Sequence, residues 1–409
     1  MKLHLSTPPS HQIKSVISIT GSKSETNRLL LLQALFPNLK LENSSNSDDA
    51  EVMQQGLAIS QGTVDVHHAG TAMRFLTSYF ASQKGKEIVL TGSARMKQRP
   101  IKLLVEALRT LGAHIEYSGE EGFPPLKIRG KQLAKEKVSL PANVSSQYIS
   151  SLCLIGPSLK NGLIIELIGK ITSVPYIKMT LALLEGIGVK TNFEGNQIQI
   201  FPKREVETKK MVVESDWSAA SYYYSLMALS EIGSKITLSF YKKESLQGDS
   251  VLSGIYKKFG VATKFEKNAI VLSKVRNLGL GTTNLELSNA PDIAQTIAVT
   301  CLGLGIGCHL TGLHTLPIKE TDRLTAMKTE LEKFGAEVEI DHESLTLKQL
   351  KNCNKGVIVD TYNDHRMAMA FAPLALKVDF VVNDAQVVSK SYPDFWDDFK
   401  KVGLVISEL

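Results

Sequence analysis

Five times along the chain a helix-like stretch ends on an apolar residue and glycine, and an alternating strand begins. The glycines are Gly112, Gly188, Gly260, Gly335 and Gly403, as in Leu183-Leu184-Glu185-Gly186-Ile187-Gly188-Val189 and Leu331-Glu332-Lys333-Phe334-Gly335-Ala336-Glu337-Val338. Glycine at such a place accepts the left-handed conformation that turns a chain out of a helix C-terminus and back as a strand. The spacing of roughly 70 residues exceeds the 20–50 of solenoids and propellers, and leaves room for two helices and three or four strands per copy. A degenerate first copy around Gly56 makes six, which pair as two domains of three. The segment around Glu214-Ser215-Asp216 is the expected crossing between them. Because Val16-Ile17-Ser18-Ile19 reads as a strand packing on the later half, the expected domains are 21–214, and 1–20 with 215–409, joined by a hinge.

Charge narrows the ligand class. Against 41 Asp and Glu stand 47 Lys and Arg, a net charge of +6, without a run of five like charges. No aromatic platforms interleave with the basic residues, so the excess points to a small anion and away from nucleic acid. The four cysteines lack metal-ligand spacing, which predicts free thiols in a reducing compartment and no metal site. The apolar stretch 297–310 is too short and too interrupted to span a bilayer, and residues 1–6 do not read as a signal peptide. A soluble, cytoplasmic protein without a membrane partner is expected.

Several helix starts carry polar groups suited to an anion, because free N–H groups and the positive end of the helix dipole lie there. Gly21-Ser22-Lys23-Ser24-Glu25-Thr26-Asn27-Arg28 runs into Leu29-Leu30-Leu31-Leu32. It is no P-loop, since Ser22 separates Gly21 from Lys23. Gly70-Thr71-Ala72-Met73-Arg74, Ser145-Ser146-Gln147-Tyr148 and Ser173-Val174-Pro175-Tyr176 likewise open helical patterns. Arg95-Met96-Lys97-Gln98-Arg99-Pro100 gathers three cations, with Pro100 expected in the first turn of the next helix. Lys319 and Arg323 are expected at i,i+4 on one helix face, where like charges repel and call for an anion between them. Glu320 beside them is a counter-ion or an acid/base. Asp292 leads an apolar helix, as a cap or as a base for a hydroxyl; His365 and Arg366 begin another helix, and Lys390 falls in a loop. Nucleophile elbows, zinc-binding His pairs and dinucleotide fingerprints are missing.

Taken in order, Gly21 to Arg28, Gly70 to Arg74, Arg95 to Pro100, Ser145 to Gln147, Pro317 to Leu324 and Asn363 to Met369 resemble the 5-enolpyruvylshikimate-3-phosphate synthases, or 3-phosphoshikimate 1-carboxyvinyltransferases. The likeness covers essentially the whole chain. It implies an α/β (α+β) fold, a two-domain inverse α/β barrel with three pseudo-symmetric βαβαββ units per domain and the active site in the cleft between domains. It implies transfer of the enolpyruvyl group of phosphoenolpyruvate to the 5-hydroxyl of shikimate 3-phosphate, by a monomer and without a cofactor. Shikimate 3-phosphate would meet Lys23, Ser24, Arg28, Ser145, Ser146, Gln147, Ser173, Tyr176, Asp292, Thr315 and Lys319. Phosphoenolpyruvate would meet Lys23, Gly70, Arg99, Gln147, Arg323, Arg366 and Lys390. The catalytic set would be Asp292, Glu320, Lys23, Lys390 and His365, with Asp292 taking the hydroxyl proton and Glu320 handling the proton at the methylene carbon. This chain departs from the family pattern at His68, Phe75, Gln98 and Thr315. The alternatives are the related transferase acting on UDP-N-acetylglucosamine, which typically uses a loop cysteine absent near Arg95 to Pro100, and a non-catalytic anion-binding homologue.

Overall fold

The computed structural model describes every residue except 143–144, 172–173 and 278–280. The chain forms two compact units, one of Met1–Gly21 with Glu214–Leu409 and one of Ser22–Val213.

The repeat has a uniform local cause. Helix Lys102–Leu111 buries Leu104, Val105, Leu108 and Leu111, and leaves Lys102, Glu106 and Thr110 outside. It ends at Gly112, whose φ is 107°. There the N–H of Gly112 bonds the Arg109 carbonyl and that of Ala113 the Leu108 carbonyl, the paired bonds of a Schellman cap. Gly188, Gly335 and Gly403 close their helices with the same pair of bonds, and Gly260 shares the positive φ.

In the Ser22–Val213 unit two sheets follow one plan. Gln61–Asp65 and Glu87–Thr91 run parallel around helix Gly70–Ser82, and the hairpin His114–Tyr117/Leu126–Arg129 adds antiparallel after Gly112. Lys137–Pro141, Leu163–Ile168 and the hairpin Thr191–Glu194/Gln197–Ile200 repeat it. The expected copy around Gly56 is different. Gly56 sits inside helix Asp48–Ala58, packed toward Leu76 and Val64, and the chain leaves through extended Ile59 straight into the next strand. Without a left-handed exit no hairpin follows, and among the described residues Leu39–Glu42 pairs with Lys209–Val212 alone.

The other unit carries the plan three times. Strand Lys14–Ile17 runs parallel to Lys235–Ser239, whose hairpin is Val261–Glu266/Ala269–Lys274. Thr282–Glu286 and Gly307–Thr311 are joined by Val338–Ile340/Leu345–Leu347. The third sheet pairs Val357–Val359 with Phe380–Val382, and there Leu3–Ser6 lies between Phe380–Val382 and Val405–Glu408.

In each copy the helix between the parallel strands is buried nearly all round, which marks a core helix. Trp217–Leu229 and Ala294–Leu304 are so packed, and they touch through small hydroxyls, Thr300 donating to Ser225 at 2.7 Å and Ser221 lying 3.1 Å from Thr296. Gly70–Ser82 and Ser146–Ile155 meet likewise, with Ser78 and Ser151 2.9 Å apart. The starts of these core helices carry the site residues.

Candidate active site

Three core helices of the Glu214–Leu409 part, Trp217–Leu229, Ala294–Leu304 and His365–Phe371, bring their N-terminal ends together around Asp292. Asp292 lies in the single 3-10 turn Pro291–Ile293 and caps nothing, so its carboxylate is left to face cations. Arg323 Nη1 stands 2.8 Å from Oδ1, Lys319 Nζ 3.3 Å from the same oxygen, and Arg366 Nη2 3.3 Å from Oδ2. Burial pushes the Asp292 carboxyl up, but Lys319, Arg366 and Arg323 together outweigh it and hold it well below the usual carboxylate range.

Lys319 and Arg323 do not share a helix face. Lys319 follows the 3-10 turn Leu316–Ile318 in extended conformation, and the helix begins at Arg323 because Asp322 caps it, accepting from the N–H groups of Leu324 and Thr325. Their charges are reconciled by an anion as expected, and that anion is Asp292.

Arg323 is 1 % exposed, and its guanidinium is divided among three carboxylates. Nε donates to Asp364 at 2.7 Å, Nη1 to Asp292 at 2.8 Å and Nη2 to Glu320 at 2.9 Å. Desolvation alone would lower its pKa, yet Asp364, Glu320 and Asp292 raise it, so its charge is permanent. Asp364 is fully buried, caps His365–Phe371 by accepting from the Arg366 N–H, and lies 3.7 Å from His365 Nδ1. Lys390 ends the 3-10 helix Ala385–Lys390, where a loop was expected, and donates to the Asn363 carbonyl. Thr315 precedes Leu316–Ile318, its hydroxyl buried without a hydrogen-bond partner among the described residues.

In the Ser22–Val213 unit, Lys23 opens helix Lys23–Leu35 and pairs with Asp49 at 3.0 Å. Arg28 is buried on the same helix and held by hydroxyls, Nε on Thr180 at 2.8 Å and Nη2 on Ser150 at 3.1 Å, with Nη1 on the Ser24 carbonyl at 2.7 Å. Burial lowers its pKa to about 10, with Tyr176 and Glu25 acting against it. Phe75 lies beneath the guanidinium, 5.4 Å from ring centre to carbon. Thr180 Oγ1 also donates to the Tyr176 carbonyl at 2.8 Å.

Gln147 and Thr71, at the starts of neighbouring helices, share a 3.2 Å bond, and Ser145 caps the helix of Ser146 and Gln147. Arg99 crosses Gly70 so closely that a Cβ there would lie 2.6 Å from Nη1. Pro100 is outside the following helix, which starts at Lys102, and its carbonyl takes bonds from Arg74 and Tyr148. Ser173 lies outside the described residues.

Within its own unit, then, Asp292 meets Lys319, Arg323 and Arg366, with Glu320 on Arg323. In the other unit Ser24 meets Arg28, Gly70 meets Arg99, and Gln147 meets Thr71. Sequence reasoning passed over Asp49, Ser218, Asp249 and Asp364. Asp364 had a usable signal, an acidic residue just before a helix; Asp249, in an unremarkable Gln-Gly-Asp turn, had none.

The architecture is that of the enolpyruvyl transferases. A solved enolpyruvyl transferase, NikO from Streptomyces tendae, superposes with a TM-score of 0.73 at 12% identity, covering 99% of this chain and 98% of its own. EPSP synthase from Acinetobacter baumannii does so at 0.82 and 20% identity, covering 100% of both chains. A family profile described as EPSP synthase (3-phosphoshikimate 1-carboxyvinyltransferase) matches residues 35–399. The 3-phosphoshikimate 1-carboxyvinyltransferase of Bacteroides fragilis is 43% identical over 410 residues, 99% of each chain, and that of Haemophilus influenzae 36% over 440, 97% of this chain and 98% of its own. The chain belongs to the EPSP synthase family.

Proposed function

We propose that the protein transfers the enolpyruvyl group of phosphoenolpyruvate to the 5-hydroxyl of shikimate 3-phosphate and releases phosphate, acting as a cytoplasmic monomer on the way to chorismate and the aromatic amino acids. The observation that carries this reading is the convergence of Lys319, Arg323 and Arg366 on Asp292, with Glu320 on the same arginine. Membership of the family supports it.

The two substrates bring phosphates and carboxylates, and a cation about 4 Å from an anion gains about 4 kcal/mol at an effective dielectric near 20. Asp292 tied to three cations is a weak base. Substrate anions compete for those cations, and as they loosen from Asp292 its proton affinity rises where the 5-hydroxyl must lose a proton. The 5-oxygen then bonds to C2 of phosphoenolpyruvate, its proton passing to Asp292 while Glu320 delivers a proton to C3. The resulting tetrahedral intermediate loses a proton from C3 and breaks its C2–O bond to phosphate, restoring the double bond. Lys23 and Lys390 neutralise the leaving phosphate and the charge around the intermediate. Lys23, Ser24, Arg28, Ser145, Ser146, Ser173, Tyr176, Thr315 and Lys319 hold shikimate 3-phosphate; Gly70, Arg99, Gln147 and Arg366 hold phosphoenolpyruvate. Arg323 keeps Asp364 and shares its outer nitrogens with phosphoenolpyruvate, and His365 assists proton handling beside Asp364.

Phosphate release is expected only with both substrates present, and to fall by a factor of about 100 to 10,000 in Asp292→Ala or Glu320→Ala, the range for loss of a general acid or base. Full activity in both variants overturns the roles. Turnover with UDP-N-acetylglucosamine in place of shikimate 3-phosphate overturns the function.

A further inference from the structure

Behind Arg366 lies a second carboxylate that the proposed reaction does not use. Asp249 sits in the 3-10 turn Gly248–Val251, 5 % exposed, and its side chain caps no helix. Ser218, in the first turn of Trp217–Leu229, donates its hydroxyl to Asp249 Oδ2. The same hydroxyl oxygen accepts from Arg366 Nη2 at 3.2 Å, that nitrogen also reaches Asp292 Oδ2 at 3.3 Å, and Nη1 donates to the Asp292 carbonyl at 3.2 Å. Among the described residues Asp249 Oδ1 is buried with no hydrogen-bond partner, and no lysine or arginine pairs with the carboxylate. A buried carboxylate left half-satisfied is a net cost to folding, which points to a role other than stability.

We propose that Asp249, acting through the Ser218 hydroxyl, is a positioning residue for Arg366, dividing the N–H groups of Nη2 between Ser218 and Asp292 and so holding the guanidinium back from a full ion pair with Asp292, ready for the carboxylate of phosphoenolpyruvate. A serine has a single hydroxyl proton. While Asp249 is ionised, that proton is committed to Asp249, and the lone pairs of Ser218 face Arg366. When Asp249 is protonated, its own O–H can donate to Ser218, the commitment ends, and the attraction of a second anion for Arg366 is lost. Arg366 then closes on Asp292, and an incoming carboxylate must compete with a full ion pair.

The groups facing Asp249 make this exchange accessible. Asp292 and Asp216, the cap of the Ser218 helix, raise its proton affinity, while Arg366 and the Ser218 bond lower it. Lys257 and Lys258 stand at the far, exposed end of the following helix. Burial is the largest influence, and the carboxyl is pushed up to about 6.

This inference rests on the assignment of Arg366 to phosphoenolpyruvate, and the tests separate the two. Initial rates with phosphoenolpyruvate varied between pH 5 and 8 are expected to show its KM rising in the wild type as pH falls below about 6. In Asp249→Asn the KM should be raised about tenfold across the range and lose that step, as expected for a weakened hydrogen bond to a charged group, with kcat and the KM for shikimate 3-phosphate little changed. Ser218→Ala should match it, and Ser218→Thr, which keeps the hydroxyl, should restore the wild-type profile. A phosphoenolpyruvate KM in Asp249→Asn identical to wild type at every pH overturns the proposal while leaving the function intact. An independent readout is the side-chain 15N resonances of Arg366 in the free protein, expected to shift as pH crosses this range in wild type and to stay fixed in Asp249→Asn. Resonances that stay fixed in wild type also overturn it, whether or not the protein turns over.

Discussion

Gly70 shows how a single missing methylene can set the course of a neighbouring cation. It opens helix Gly70–Ser82 with an ordinary negative φ, so backbone strain does not require glycine there. Space does, because a Cβ would stand 2.6 Å from Arg99 Nη1 and 3.1 Å from Cζ. The obstructed atoms belong to the far end of a flexible side chain, so Gly70→Ala should fold normally and displace the guanidinium. We expect the KM for phosphoenolpyruvate to rise at least about tenfold, since a shift of about 1 Å in a positioning group can cost that much, with the melting temperature unchanged. Steady-state kinetics beside a thermal scan checks both, and an unchanged KM would remove Arg99 from the site. The opposite arrangement holds at Arg28, where Phe75 fills the space under the guanidinium and hydroxyls of Ser150 and Thr180 take its protons. The hydroxyls solvate this cation without neutralising it, the condition the proposed contact with shikimate 3-phosphate requires.

At the scale of elements, the left-handed glycines were legible because their requirement is local and stereochemical. Gly403 isolates it: φ is 100° and a Cβ would meet nothing within 4 Å. Gly403→Ala should therefore destabilise the protein through backbone conformation alone, by about 1–2 kcal/mol, measured as a lower urea midpoint at constant m. No loss would show that the repeat's glycines are not held by conformation. Other elements were not legible for identifiable reasons. The pattern Lys319-Glu320-Thr321-Asp322-Arg323 reads as helix by spacing, but the Asp322 carboxylate competes for the N–H groups of Leu324 and Thr325 and delays the helix to Arg323. The copy around Gly56 lacks its hairpin because Ile59 leaves the helix already extended. The site residues at helix starts were readable as chemistry, whereas the link from Asp249 through Ser218 to Arg366 joins segments that only the tertiary fold brings together.

For the whole molecule, the two carboxylates of one cluster pull the pH dependence of stability in opposite directions. Asp292 is held below its ordinary value, so its contribution is present at neutral pH and lost as pH falls. Asp249 is raised from 3.8 to about 6, so the folded state binds its proton more tightly. Its contribution is full below 3.8 and is lost as pH rises through about 6. Asp249→Asn removes that loss, and its stability relative to wild type should grow by up to about 3 kcal/mol between pH 4 and 7. Denaturant unfolding at the two pH values measures the difference; a relative stability independent of pH would mean that Asp249 does not titrate there. The third sheet of the Glu214–Leu409 part bears on a different time scale. Leu3–Ser6 lies inside it, between Phe380–Val382 and Val405–Glu408, whereas among the described residues the strand pairings of Ser22–Val213 are internal to that stretch. On a ribosome moving at about 5–20 residues per second, Leu3–Ser6 must wait about 20–80 seconds after its own synthesis for its neighbours. During that wait the inserted unit can complete its sheets, so Leu3–Ser6 is made long before it can find a partner.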